Sequence, residues 1–187
     1  GSMMAAGAGA TYYFHYMPSP DHPGGFLMID QNYHVLGYPP QYLATQLITQ
    51  EWVQPIDAPH RQFKAASDVI DAAGTVLVTA YAVERPDKKW SVMLVNRDQY
   101  NDHAVKVVFA DPGSKHDRYF SGPLDRITFG SNEYQWHQEG TGGHADPDGP
   151  LSRSTVTAAA DMFYQLPKAS ITVLRGSVTS ATAQDGH

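Results

Sequence analysis

Between Ser67 and Arg175 short runs of β-branched and aromatic residues alternate with turn signals, and no helical period fits between them. That cadence is what most limits the fold. It predicts strands at Ser67–Asp71, Thr75–Glu84, Lys89–Arg97, His103–Asp111, Asp125–Gly130, Glu133–His137, Thr155–Ala159, Met162–Leu166 and Ser170–Arg175. Ala73-Gly74, Arg85-Pro86-Asp87, Asp98 to Asp102 and Asp111-Pro112-Gly113 are the turns. Strands at this spacing point to a mainly β fold, an antiparallel sandwich of seven to nine strands. Trp90, Val92 and Leu94 share one face of their strand, and Val105, Val107 and Phe109 share one face of the next; these are the two best core stripes. After Gly176 the sequence SVTSATAQDGH has no apolar pattern and is expected to be a flexible tail over 177–187.

Ahead of the sandwich the period differs. Thr11 to Tyr16 (TYYFHY) is an aromatic, β-branched run expected to form a buried strand. Asp21 to Pro40 reads as loop, with a short extended piece at Phe26 to Ile29. Pro40 suits the first turn of a helix running from Gln41 to about Trp52, with Leu43, Leu47 and Ile48 on one face; Pro55 and Pro59 stop it. The expected organisation is thus a strand–loop–helix appendage over 1–60, a sandwich over 61–176 and the tail. Gly1-Ser2-Met3 matches the scar that a tag-removing protease leaves, so Gly1 and Ser2 are set aside; Ala5 to Ala10 lacks the basic start and long apolar centre of a signal peptide.

A length of 187 residues allows a full core, but a complete eightfold barrel needs roughly 200 residues or more. Thirteen Lys and Arg against 19 Asp and Glu leave a formal charge of −6. With no basic cluster, nucleic acid is not an expected partner, and no run approaches a membrane span. Fifteen of the acids are Asp, a turn and cap residue, which fits the many loops. Zero cysteine excludes disulfides, thiolate metal sites and a cysteine nucleophile.

Several residues invite chemistry. Glycoside hydrolysis needs two carboxyl groups about 5–10 Å apart. Glu51 beside Trp52, and Glu133 near Tyr134 and Trp136, are the carboxylates next to aromatic rings, but nothing in the spacing pairs them. Each has a plainer reading: Glu51 closes a helix and Glu133 opens a strand, so no catalytic residue is assigned. Among nine histidines there is no HxH or HExxH; His15 and His22 flank a proline turn, and His137 and His144 bracket a glycine-rich loop. Asp146 and Asp148 have a calcium-like DxDG spacing without the later acidic ligand, which favours a proline-rigid turn over a metal site. Tyr134 and Trp136 alternate onto one face of a short strand with His137 beside them, which would serve as a sugar platform if that face is exposed. No GxSxG, GxxxxGK[ST] or GxGxxG element occurs, and no cofactor is expected.

Taken together, longer stretches carry a resemblance. VTAYAVERPDKKWSVMLVNRD (78–98) followed by HAVKVVFAD (103–111) resembles the hairpin pair in the C-terminal sandwich of retaining barrel glycosidases, most closely glycoside hydrolase family 39, the β-xylosidase type. YQLPKASITVLRG (164–176) is similar to its closing strand, and YQWHQEGTGGHADPDGP (134–150) to the loop before that strand. AAGAGATYYFHYMP (5–18) and PPQYLATQLITQEW (39–52) resemble the eighth barrel strand and helix.

The resemblance implies a carbohydrate-associated, non-catalytic module. The family's acid/base and nucleophile lie on the fourth and seventh barrel strands, and none of the four glutamates here matches either. It adds His15 and Tyr16 to Tyr134, Trp136 and His137 as carbohydrate-binding candidates, and implies a xylan-type glycan as partner and an extracellular or periplasmic setting. The alternatives are a glycosidase using Asp or Glu in a novel site, or a structural dimerisation domain. A barrel strand without its neighbours is an association hazard, so Thr11 to Tyr16 is expected to pair with the sandwich or to join two chains in a homodimer. A clean monomer by light scattering, with this strand ordered and exposed, contradicts that expectation.

Overall fold

The computed structural model describes residues 28–29, 32, 34–110, 113, 116–140 and 142–180. The expected strand Thr11 to Tyr16, and with it His15, Tyr16 and His22, lies outside the described residues, as do 181–187.

Among the described residues the fold is mainly β and antiparallel, with one short helix ahead of the main sheet. After the short pair β1 (Met28–Ile29) and β2 (Val35–Gly37) comes α1 (Pro40–Gln46), which continues as a π-helical turn over Leu47–Trp52. Pro40 occupies the first turn, where its missing N–H costs nothing. The Thr45 and Thr49 hydroxyls donate to the carbonyls of Gln41 and Thr45, and Val53 N–H donates to Ile48 O, an i→i+5 closure. The result buries Leu43, Leu47, Glu51 and Trp52 on the sheet side.

A six-stranded sheet forms the body. Its strands are β3 (Arg61–Phe63), β4 (Val78–Glu84), β5 (Trp90–Asn96), β7 (Arg118–Gly130), β10 (Ser152–Ala158) and β12 (Ser170–Ser180), in the order β10-β7-β12-β5-β4-β3. Between these in sequence come β6 (His103–Val105), the hairpin strands β8 (Tyr134–Glu139) and β9 (Gly142–Asp148), and β11 (Tyr164–Leu166).

Both faces of the sheet are covered. The period-2 rule sends Val78, Ala82, Val92, Leu94, Phe120, Leu124 and Leu174 to one face, beneath the two-stranded β6–β11 layer with Val105, Phe109, Tyr164 and Leu166. Both stripes expected from sequence lie here, with Trp90 and Val107 at the edge. Val83, Met93, Ile127, Phe129 and Val173 point the other way, where Leu43, Leu47 and Trp52 of the helix cover them. The helix is therefore a third layer, pinned where the Trp52 indole N–H donates to Tyr81 O.

Two of the stretches that carry the resemblance meet in space, at Asn96 of 78–98 and at Leu166-Pro167 and Ser170 of 164–176. The Asn96 amide donates to the carbonyls of Asn101, Leu166 and Pro167, and the Ser170 hydroxyl donates to Pro167 O. Asn96 is buried, and these bonds tie the end of β5 to β11 and so hold the small layer on the large sheet.

Several boundaries differ from expectation. Ser67–Asp71 is not a strand and makes only a bridge, Ile70 to Val76, whereas Arg61–Phe63 is one. β12 continues past Arg175 to Ser180, across a register shift at Gly176/Ser177, because the first half of β7 pairs with it: Ser177↔Ser121 through Ser180↔Arg118. Gly142–Asp148, expected to be loop and a proline-rigid turn, pairs with β8.

Candidate functional site

Glu51 sits at the end of the π-helical turn, facing the sheet, and is only 8% exposed. Its Oε1 accepts from Arg153 Nη1 at 2.6 Å and its Oε2 from Arg175 Nη1 at 3.1 Å. Its backbone carbonyl accepts from Arg85 Nη1 at 3.0 Å. Arg175 also holds Asp125, Nη2 to Oδ2 at 2.9 Å and Nε to Oδ2 at 3.2 Å. Burial pushes the Asp125 carboxyl up, but the Arg175 hydrogen bond and charge outweigh it and hold the group below its ordinary value. Burial lowers Arg85, against the pull of Asp87 3.2 Å away. With both oxygens of Glu51 on guanidinium groups, this is a clamp between helix and sheet.

Glu133 lies in the turn between β7 and β8. Burial raises its pKa above the ordinary carboxyl value, although backbone N–H groups at Gly130 and Glu133 pull it down, and Oε2 is buried without a hydrogen-bond partner.

The β8–β9 hairpin holds the remaining candidates, and it separates them. The pairing is irregular opposite Tyr134 and Trp136, with the extra residue on β9, and the two rings differ in exposure, so they do not form the expected shared platform. Tyr134 is buried against Phe129, ring centroids 6.2 Å apart, and burial together with the Asp148 charge raises its hydroxyl pKa. Trp136 stands 38% exposed, its indole N–H donating to Gln138 Oε1 at 3.0 Å. The six-membered ring reaches diagonally across to Gly143: a Cβ there would sit 2.7 Å from Trp136 Cζ2 and 2.3 Å from the His137 carbonyl. Glycine at this position lets the indole lie against the partner strand.

His137 takes the opposite face, as strand alternation requires. Its cross-strand partner is His144, and the rings stack with centroids 5.4 Å apart. His144 Nδ1 lies 3.2 Å from Glu139 Oε1. The hairpin thus joins the two histidines that bracket the glycine loop in sequence. Asp146 and Asp148 are exposed on β9, and among the described residues no group of three or more His, Asp or Glu side chains is placed to hold a metal.

The partners of Glu51 were not expected from sequence. One signal was present: Arg175 interrupts the apolar run Ile171 to Leu174 at the position that continues the Ile171/Val173 face.

No family model matches the chain, and no curated protein matches it. Three structural neighbours are arabinofuranosidases, and a protein of unknown function from Acinetobacter sp. ADP1 also aligns, over 65% of this chain at 11% identity with a TM-score of 0.24. An α-L-arabinofuranosidase of Thermotoga maritima, in an arabinose complex, aligns over 83% of this chain and 31% of its own length, with 13% identity and a TM-score of 0.49. GH51 arabinofuranosidases of Thermotoga petrophila (56% of this chain, 20% of the neighbour, 13% identity) and Xanthomonas axonopodis pv. citri (62%, 21%, 14% identity) give TM-scores of 0.35 and 0.32. The chain spans a third or less of each enzyme. Likeness of this degree transfers neither activity nor residue roles. Among the described residues no helix is long and apolar enough to cross a membrane.

Proposed function

We propose that the chain is a non-catalytic, carbohydrate-associated β-module of a secreted glycoside hydrolase, of the family 39 type that its sequence resembles, and that it touches a xylan-type glycan through Trp136. The observation that carries the reading is the exposed indole braced on Gly143, with Gln138 beside it. A pyranose presents a C–H face that suits such a ring, and the neighbouring amide supplies hydrogen bonding. Support for non-catalysis comes from Glu51, whose two carboxylate oxygens are both held by arginines. One ring face without an enclosing pocket gives weak binding, with a Kd on the order of 1 mM.

The test is depletion of the chain from solution by insoluble xylan, run beside an assay for released reducing sugar. Retention on xylan that Trp136→Ala abolishes, without sugar release, supports the reading. Sugar release that disappears in Glu133→Gln establishes an enzyme instead.

A further inference from the structure

Two imidazoles stand directly opposite each other on the β8–β9 hairpin. His137 and His144 are cross-strand partners, both exposed, with ring centroids 5.4 Å apart and planes 25° from parallel. Strand register puts them there, since residues opposite each other in an antiparallel pair share one face with Cβ atoms about 4.5–5.5 Å apart. Two nitrogens bound to one transition-metal ion each lie about 2.0–2.1 Å from it, and so about 3 Å from each other. Rings already this close reach that separation by turning about their side-chain bonds, with no shift of the backbone.

Glu139 stands behind the pair. It lies two residues beyond His137 on β8, hence on the same face, and its Oε1 is 3.2 Å from His144 Nδ1. A carboxylate there favours the ring proton on Nδ1 and leaves the Nε2 lone pair for an ion, as in many metal-binding histidines. The surrounding charge has the matching sign. From Glu133 to Pro150 the sequence carries four carboxylates, Glu133, Glu139, Asp146 and Asp148, and no Lys or Arg. Such a stretch draws cations.

We propose that His137 and His144 chelate a divalent transition-metal ion, Cu²⁺ most tightly and Ni²⁺ or Zn²⁺ less so, with Glu139 as the positioning residue for His144. Imidazole nitrogen suits these ions, whereas Ca²⁺ and Mg²⁺ take oxygen ligands. Among the described residues no three His, Asp or Glu side chains converge, so the protein supplies two ligands and water fills the other positions. The ion ties β8 to β9 one residue from Trp136, and so steadies the hairpin that presents that ring.

The test titrates the full chain by calorimetry with CuCl₂, NiCl₂, ZnCl₂ and CaCl₂, in a non-chelating buffer at about pH 7.5, where an ordinary imidazole is neutral. One Cu²⁺ is expected per hairpin, with a Kd on the order of 10 μM and roughly tenfold tighter than Zn²⁺. Ca²⁺ is expected to give no saturable heat. His137→Gln and His144→Gln each weaken Cu²⁺ by roughly tenfold or more, because each removes the second arm of a chelate. Glu139→Gln weakens it by roughly tenfold as well. Electron paramagnetic resonance of bound Cu²⁺ separates the roles: wild type and Glu139→Gln show two imidazole nitrogens, and each histidine variant shows one. His116→Gln, at another exposed histidine, changes nothing. All these positions are exposed, so Tm of the metal-free variants is expected to equal that of wild type, and lost binding is then not lost folding. Absence of saturable Cu²⁺ binding overturns the proposal, as does Cu²⁺ binding that both hairpin histidine variants leave unchanged. Ca²⁺ binding as tight as that of Zn²⁺ places the ion on carboxylates and overturns it too.

Discussion

Replacing Glu51 by Ala removes the acceptor for two arginines at the junction of helix and sheet. The arginines are not equivalent. The Arg153 side chain is 52% exposed and water replaces its lost partner, so that contact contributes about 0–1 kcal/mol despite its 2.6 Å length. The Arg175 side chain is 18% exposed and keeps Asp125 at 2.9 Å, so it is weakened rather than orphaned. Breaking a fully buried pair costs about 3–5 kcal/mol; with one partner retained, about 2–3 kcal/mol is expected for Glu51→Ala. For a chain of this size that lowers Tm by about 4–12 °C. Double-mutant cycles read by urea denaturation sharpen the claim. Coupling of Glu51 with Arg175 is expected at about 1–2 kcal/mol, and with Arg153 below about 0.5 kcal/mol, the reverse of the order of their distances. A loss under about 0.5 kcal/mol, or the larger coupling at Arg153, refutes the reasoning that burial rather than distance sets these energies.

Asp98 accepts backbone N–H bonds from Tyr100 and Asn101 and lies 3.0 Å from His103, and the Tyr100 bond leads in pulling its pKa down to about 2. A depressed carboxyl stabilises the fold above its unfolded value of 3.8 and loses that effect as pH falls through about 2. Tm of wild type should therefore exceed that of Asp98→Asn at pH 6, with the gap closing by about pH 2; a gap independent of pH contradicts the assignment. Trp52→Ala empties a fully buried site and should cost about 3–5 kcal/mol in the same denaturation assay. Gly143→Ala drives a methyl into the Trp136 ring and the His137 carbonyl; shifted indole emission and loss of xylan retention with little change in Tm are expected, and unchanged emission counts against the contact.

Where local pattern sufficed, the sequence was legible. Trp90/Val92/Leu94 and Val105/Phe109 lie on the same core face, and the helix from Pro40 buries Leu43 and Leu47. What escaped depends on partners far along the chain. The strand expected from Asp125 in fact starts at Arg118 and runs through Ser121-Gly122-Pro123, with Gly122 at φ +69° and Pro123 exposed, because β10 and the far half of β12 supply its partners. That far half, Ser177 to Ser180, looks like a tail for the same reason: it exists as strand only against Arg118 to Ser121. In the candidate site, alternation alone put Tyr134 and Trp136 on one platform. Packing separates them: Tyr134 is buried against Phe129, and Trp136 is left as the surface ring.

Isothermal titration with xylo-oligosaccharides, comparing wild type with Trp136→Ala, tests the central claim most directly. The account predicts weak saturable heat, with a Kd on the order of 1 mM, that vanishes in the variant while its Tm is unchanged. Absence of binding by the wild type, or equal binding by the variant, contradicts it.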